Sequence, residues 1–340
     1  MISPTHQDDA ARTATWTVVV SRGQSRNPAK RSLEQSIADA VADLEGVDVV
    51  VVPHLYDLPK GGESLQQLAA IEGNLIVVSW IYPRAAHWVL DRNGVRGQFV
   101  DVPLNESDDQ DDDDGASLER EDVDRVVEMF PRPDREIHCI DLKVEEASDR
   151  FVGEIRRIVD GDASEGETKS GPTELPIVGG KIVQVEETTT RRWYPVIDFS
   201  RCTNCMECID FCLFGVYGVD GAETILVEQP DNCRKGCPAC SRVCPENAII
   251  FPQHKAPAIA GADVGGSEGF KIDLSKLFGA PEGGEDAIAT AARERDEQLL
   301  LAGRDAVGID DQLKRRQSDQ QAQPKDDLDR LIDSLDALDL

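Results

Sequence analysis

Eight of the nine cysteines of this 340-residue chain lie in two short runs. Residues 202–212 have the spacing C-x2-C-x2-C-x3-C, and residues 233–245 have the spacing C-x3-C-x2-C-x3-C-P. Thiolates are strong ligands for soft metals, and thiolates so close in sequence can converge on one site from a single loop. In a reducing compartment the pattern therefore predicts metal binding rather than a set of disulfides.

The two runs resemble those of bacterial-type ferredoxins, which hold two [4Fe–4S] clusters and carry the signature C-x2-C-x2-C-x3-C-P. In that family the last cysteine of each run binds the cluster of the other run. The resemblance covers about a fifth of the chain. It implies that the first cluster is bound by Cys202, Cys205, Cys208 and Cys244, and the second by Cys233, Cys237, Cys240 and Cys212.

The chain departs from the family pattern at two places. Leu213 stands where the first run would have proline, and the second run has one additional residue between Cys233 and Cys237. Neither departure removes a ligand, but the additional residue is expected to alter the loop around the second cluster. A pair of four-cysteine zinc sites is the alternative. Zinc ligands usually come as two separated C-x2–4-C pairs, whereas three cysteines within residues 202–208 suit a cube better.

One-electron transfer is the chemistry that this pattern predicts, because all eight thiolates would serve as ligands and none would remain to activate a substrate. No carboxylate pair and no Ser/His/Asp arrangement is visible in the sequence, so no catalytic residue is predicted. We expect a ferredoxin-type electron carrier whose partner is chosen by a fused domain. The alternatives are an electron-wiring subunit of a larger oxidoreductase, with a domain that binds a nucleotide, flavin or other ligand, and an assembly scaffold.

Residues 15–159 are predicted to form that fused domain, with an α/β fold. Near-continuous apolar strands alternate there with amphipathic helices, which is typical of an open parallel sheet covered on both faces. Asn27 and Pro28 are the expected N-cap and first residue of a helix with the apolar stripe Leu33, Ile37, Val41 and Leu44. The other predicted elements are strands at 17–20, 47–52, 75–78 and 136–142 and helices at 63–71, 118–129 and 147–159.

Composition sets the expected domain plan for the rest of the chain. Acidic or Gly- and Ser-rich stretches are expected to be disordered or linking: a tail at 1–14, an acidic insertion at 105–117, a linker at 160–190 and a mostly disordered acidic tail at 258–340. Residues 191–257 are expected to form the small α+β ferredoxin-like domain, with strands at 193–198 and 248–251. Its clusters are expected to be shielded from water by Phe211, Phe214, Val216 and Tyr217.

The charge balance bears on partners and location. With 36 Lys and Arg against 65 Asp and Glu, the net charge is −29, which excludes nucleic acid as the expected partner and favours a basic protein surface. The sequence has neither a secretory signal nor an apolar run long enough to span a membrane, so a cytoplasmic location is expected. A C-terminal amphipathic helix either contacts a partner or folds back on its own chain, through Leu328, Leu331, Ile332, Leu335 and Leu338.

Three further segments of the α/β domain have chemically notable residues. Cys139 is expected to be a buried, inert thiol, with His138 on the opposite face of the same strand. Residues 21–26 follow the first strand, a place where open α/β folds often bind anions, but they match neither G-x-G-x-x-G nor a P-loop. A plain turn is therefore the favoured interpretation. Residues 79–87 are expected to form an aromatic loop.

Overall fold

The computed structural model describes residues 16–105, 124–130, 132–161, 181–262 and 287–308. The expected tail at 1–14, the expected acidic insertion from residue 106 onward, most of the expected linker and the predicted C-terminal helix with Leu328 and Leu335 lie outside these residues.

A six-stranded parallel sheet forms the N-terminal domain, as predicted. Its strands run in the spatial order β4-β5-β3-β1-β2-β6, and every neighbouring pair is parallel. The strands are β1 Trp16–Ser21, β2 Val47–Val52, β3 Asn74–Ser79, β4 Gln98–Val100, β5 Glu136–Asp141 and β6 Ile182–Gln184. Because successive side chains of a strand point to opposite faces, the valine-rich central strands supply two apolar cores at once.

Helices cover both faces of this sheet. They are α1 Pro28–Ala42, α2 Glu63–Ala69, α3 Pro83–Arg92, α4 Val126–Met129 and α5 Ser148–Asp160, with single 3-10 turns at Leu55–Asp57 and Pro103–Asn105. Helices α1 and α5 share one core, and α2 and α3 belong to the other. The predicted cap of α1 is confirmed, since the Asn27 side chain accepts a hydrogen bond from the Ala29 N–H at 3.0 Å and Pro28 opens the helix.

The expected aromatic loop at 79–87 is wrong, because Pro83 begins helix α3. Three polar side chains of α3, those of Arg84, His87 and Asp91, are all buried. They are buried because α3 packs between the sheet and the cysteine-bearing region. A contact between two distant parts of the chain is not visible in a local pattern of polar residues.

Two elements lie in segments that composition marked as linker or tail. Strand β6 falls inside the expected linker at 160–190 and pairs with the edge of β2, where Val185 N–H donates to Val51 O at 2.9 Å. Helix α9, Ala287–Leu301, falls inside the expected tail at 258–340. Its apolar signal is weak, because its buried side chains include a cation and two alanines: Ile288, Ala291, Ala292, Arg295 and Leu299. Arg242 anchors the helix through two hydrogen bonds to Glu294 at 2.9 and 3.0 Å.

The cysteine-bearing region contains two small antiparallel sheets, each of two strands. Strand β7, Val196–Ile197, pairs with β10, Ile249–Ile250, while β8, Tyr217–Val219, pairs with β9, Ile225–Val227. The described helices of this region, besides a 3-10 turn at Pro230–Asn232, are α6 Glu207–Phe211, α7 Ala239–Val243 and α8 Pro257–Ala260. Strands β7 and β10 are shorter than the predicted ranges 193–198 and 248–251 but lie within them.

Buried contacts join this region to the α/β sheet. The Nε of Arg84, on α3, donates to Asp198 Oδ2 at 2.5 Å, and both side chains are almost fully buried. Tyr56 and Tyr194 stack with their ring centroids 4.3 Å apart and exchange hydrogen bonds. Val196 and Ile250 complete the core on the α2/α3 face of the sheet.

Candidate metal centres

The first cysteine run forms a tight loop between β7 and α6. Asn204 and Met206 have left-handed backbone conformations, with φ of 59° and 65°. The Asn204 side chain holds this loop to the β8–β9 hairpin, because it accepts from the Ile225 N–H and donates to Glu223 O, both at 2.9 Å. The loop thereby brings Cys202, Cys205 and Cys208 close together.

The fourth thiol near this loop comes from the second run. Burial raises the pKa of Cys208, and the thiols of Cys244, Cys202 and Cys205 contribute in that order. Burial likewise raises the pKa of Cys202 to about 11, with contributions from Cys244 and Cys205. Such mutual effects require that the four sulfur atoms lie near one another. We call Cys202, Cys205, Cys208 and Cys244 the first thiol set.

The other four thiols line a single cavity. Cys212, Cys233, Cys237 and Cys240, here called the second thiol set, face it together with Phe211, Phe214, Val216, Tyr217 and Arg295. The additional residue of the second run is accommodated by a turn in which Gly236 has φ of 88° and the Cys237 N–H donates to Arg234 O at 3.0 Å. A side chain at this glycine would be strained, so the residue type fits the longer loop.

Hydrogen bonds reach the sulfur atoms of both sets. Tyr217 Oη donates to Cys240 Sγ at 3.1 Å, and the Ala248 N–H donates to Cys244 Sγ at 3.2 Å. Sequence reasoning treated Tyr217 only as a shield. The signal that could have revealed its second role is its hydroxyl, which Phe211, Phe214 and Val216 lack.

The chemistry of the thiol donors fits a cationic group with several metal ions. Burial raises the pKa of seven of the eight thiols, so their thiolates need positive charge beside them. Nowhere in the described ranges do three His, Cys, Asp or Glu side chains converge closely enough to hold a single metal ion. Two groups of four thiols are the kind of donor set that iron–sulfur clusters use.

One curated protein is similar to part of this chain. The chain is 50% identical over 66 residues to a protein named as an uncharacterized ferredoxin of Methanocaldococcus jannaschii. The chain contains a ferredoxin-like segment. The match spans 19% of this chain and 44% of the relative, which is less than half of the relative's own length. No family model and no solved structure matches the chain.

Most of the chain lies outside the ferredoxin-like segment. The ninth cysteine, Cys139, belongs to neither thiol set. Cys139 is 1% exposed within the α2/α3 core, and burial alone raises its pKa, which confirms the buried thiol. His138 contacts Trp16 on the other face, with ring centroids 5.4 Å apart. None of the described helices is long and apolar enough to cross a membrane.

Proposed function

We propose that this chain is an electron-transfer protein with two [4Fe–4S] clusters, held by a ferredoxin-type α+β domain at residues 191–257. The first thiol set would bind one cluster and the second set the other. The observation that carries the proposal is the exchange of one cysteine between the runs. Cys244 joins the first run and Cys212 joins the second, as the resemblance to two-cluster ferredoxins implies.

Each cluster, when bound, accepts and releases one electron at a time. The protein supplies ligands, excludes water and stabilises charge. Phe211 and Val216 narrow access to the second thiol set, and the Tyr217 hydroxyl donates to Cys240 Sγ. Because reduction adds negative charge to the sulfur atoms, a donated hydrogen bond favours the reduced state and raises the reduction potential.

A basic protein is the proposed electron partner, and the first thiol set is its proposed docking end. Asn204 belongs to the loop of the first thiol set. The turn of the β8–β9 hairpin, which includes Asp220 and Glu223, lies beside it, and Glu223 O accepts a hydrogen bond from the Asn204 side chain. The loop of the second set instead carries the exposed cations Arg234 and Lys235. Opposite charges attract an approaching partner, so a basic surface is steered to the acidic end. All nine cysteines are free, which favours action in the reducing cytoplasm.

Iron and sulfide analysis of anaerobically purified protein tests the proposal. We expect about eight irons per chain, about four in Cys202→Ser or Cys240→Ser, and about eight in the control Cys139→Ser. A paramagnetic signal should appear after reduction with dithionite. Zinc in place of iron, or equal iron in the ligand variants and the control, would overturn it.

A further inference from the structure

A large cleft, lined by none of the eight thiols, opens at the carboxyl edge of the parallel sheet. It lies outside the ends of β1, β2 and β6 and has a volume of about 860 Å³. Its walls are the β1–α1 loop, the segment after β2 with His54 and Asp57, and residues 185–191 after β6. The carboxyl edge is where open α/β sheets bind ligands, and the volume is within the range of small-molecule sites.

The acidic side chains of the cleft already have hydrogen-bond donors. Asp57 accepts from Gln24 Nε2, from the Arg192 N–H at 3.0 Å and from Gln253 Nε2 at 3.1 Å. Glu187 accepts from the N–H groups of Glu63 and Ser64, the first two residues of α2, at 3.0 and 3.3 Å. These carboxylates have structural roles, so they do not make the cleft a cation site.

The arginines that line the cleft differ in whether their side chains have hydrogen-bond partners. Arg31 donates to Glu34 Oε2 at 3.0 Å and to Gly23 O at 2.8 Å, and Arg191 Nε donates to Gln24 Oε1 at 2.6 Å. Arg22 is half-buried and lines the cleft, but its guanidinium has no hydrogen-bond or ion-pair partner among the residues that the structure describes. A half-buried guanidinium is most stable when its fork of donors meets a carboxylate or a phosphate.

The loop that carries Arg22 is built to lie close to its surroundings. A Cβ at Gly23 would come within 2.8 Å of Trp80 Cδ1, so only glycine lets this backbone pack against the tryptophan. An arginine without a partner among the described residues therefore favours an anion at one end of a cleft too large for an anion alone.

We propose that this cleft binds a nucleotide, with Arg22 as the principal contact to its phosphate. The rest of the ligand would occupy the polar space between the segments that follow β2 and β6, near His54 and Thr189. This inference does not depend on the iron–sulfur clusters. A nucleotide site and the clusters can each be present without the other, and separate measurements detect them.

Equilibrium binding to the full, anaerobically purified chain tests the site. The probes are FMN, ADP, NAD⁺ and inorganic phosphate, measured by isothermal titration calorimetry. We expect at least one nucleotide to bind saturably and more tightly than phosphate, and Arg22→Ala to weaken it roughly tenfold or more. Arg26→Ala is the matched control, since Arg26 is exposed on the same loop but does not line the cleft.

Iron content and circular dichroism of each variant separate loss of the site from loss of the fold. Arg22→Lys should retain part of the affinity, because a point charge replaces the bidentate fork. The proposal would be overturned by three results: no nucleotide binding up to about millimolar concentration, which is the weak end of specific affinities, equal binding by Arg22→Ala and wild type, or phosphate binding that no nucleotide exceeds.

Discussion

The two thiol sets have the same four donors but different surroundings. The first set lies next to an acidic hairpin turn and is tied to the α/β sheet through Asp198, whose backbone oxygen accepts from the Cys202 N–H at 3.0 Å. The second set is covered by α9 and faces buried Arg295, which also pairs with Asp296 at 3.0 Å. Because positive charge and donated hydrogen bonds favour the reduced state, we expect the second cluster to have the higher potential.

The largest expected effect is at the support of the first set. Arg84→Ala leaves Asp198 buried without its main cation, so the free energy of unfolding should fall by about 3–5 kcal/mol. Arg201→Ala is the control, because Arg201 Nε lies 3.6 Å from the same carboxylate and is more exposed, and its loss should cost below about 1 kcal/mol. Denaturant unfolding under argon measures both. Equal losses in the two variants would contradict the role given to Arg84.

The next largest effect is expected at helix α9, which covers the second thiol set. Ala291 is fully buried on α9 within an apolar group that includes Phe211 and Cys237, and an aspartate there would place an unpaired charge in that contact. Ala291→Asp should detach α9 and make the second cluster bleach several times faster in air, with the first cluster unchanged. Leu300→Asp, at a position 61% exposed on the same helix, should bleach like wild type. Spectra recorded after exposure to air follow both clusters, and equal bleaching of the two variants would show that α9 is no cover.

A smaller shift is expected from the hydrogen bond to Cys240. Tyr217→Phe keeps the ring but removes the donor, so the reduced second cluster loses about 0.5–1.5 kcal/mol of stabilisation. For a one-electron couple this lowers the potential by about 20–65 mV. Redox titration monitored by paramagnetic resonance measures it. The first cluster of the same molecule is the internal reference, and a shift of both potentials, or of neither, would refute the assignment.

The α/β sheet was predictable because local pattern and final contacts agree there. Val47–Val52 has an apolar run interrupted only by Asp48 that predicts a buried strand, and Asn27 with Pro28 predicts the start of α1. Helix α3 was missed because burial of Arg84 depends on Asp198, which is 114 residues away in sequence. Strand β6 and helix α9 were missed because a three-residue strand, and a helix face that includes two alanines and buried Arg295, have weak patterns that only their neighbours make stable.

The thiol sets were predictable for a different reason. Spacing within each run restricts which sulfur atoms can meet, and the resemblance to two-cluster ferredoxins implied the exchange of Cys212 and Cys244. The pairing by metal ligation stays a prediction. The cysteine spacing does not reveal the surroundings of each thiol set. Examples are the Tyr217 hydroxyl, which donates to Cys240, and the Arg295 guanidinium, which faces the cavity. These depend on where β8 and α9 pack.

The smallest expected effect concerns the acidic end. Glu223→Lys reverses an exposed charge beside the first set, so electron transfer to a basic one-electron carrier, such as a c-type cytochrome, should slow several-fold at low salt. The difference should vanish at high salt, because exposed charges are screened within about 10 Å at 0.1 M. Glu72→Lys makes the same change in net charge on an exposed residue of the α/β domain, before β3, and should have little effect. Stopped-flow kinetics compare the two variants. If Glu72→Lys slowed transfer as much as Glu223→Lys, overall charge rather than docking at the first set would guide the partner.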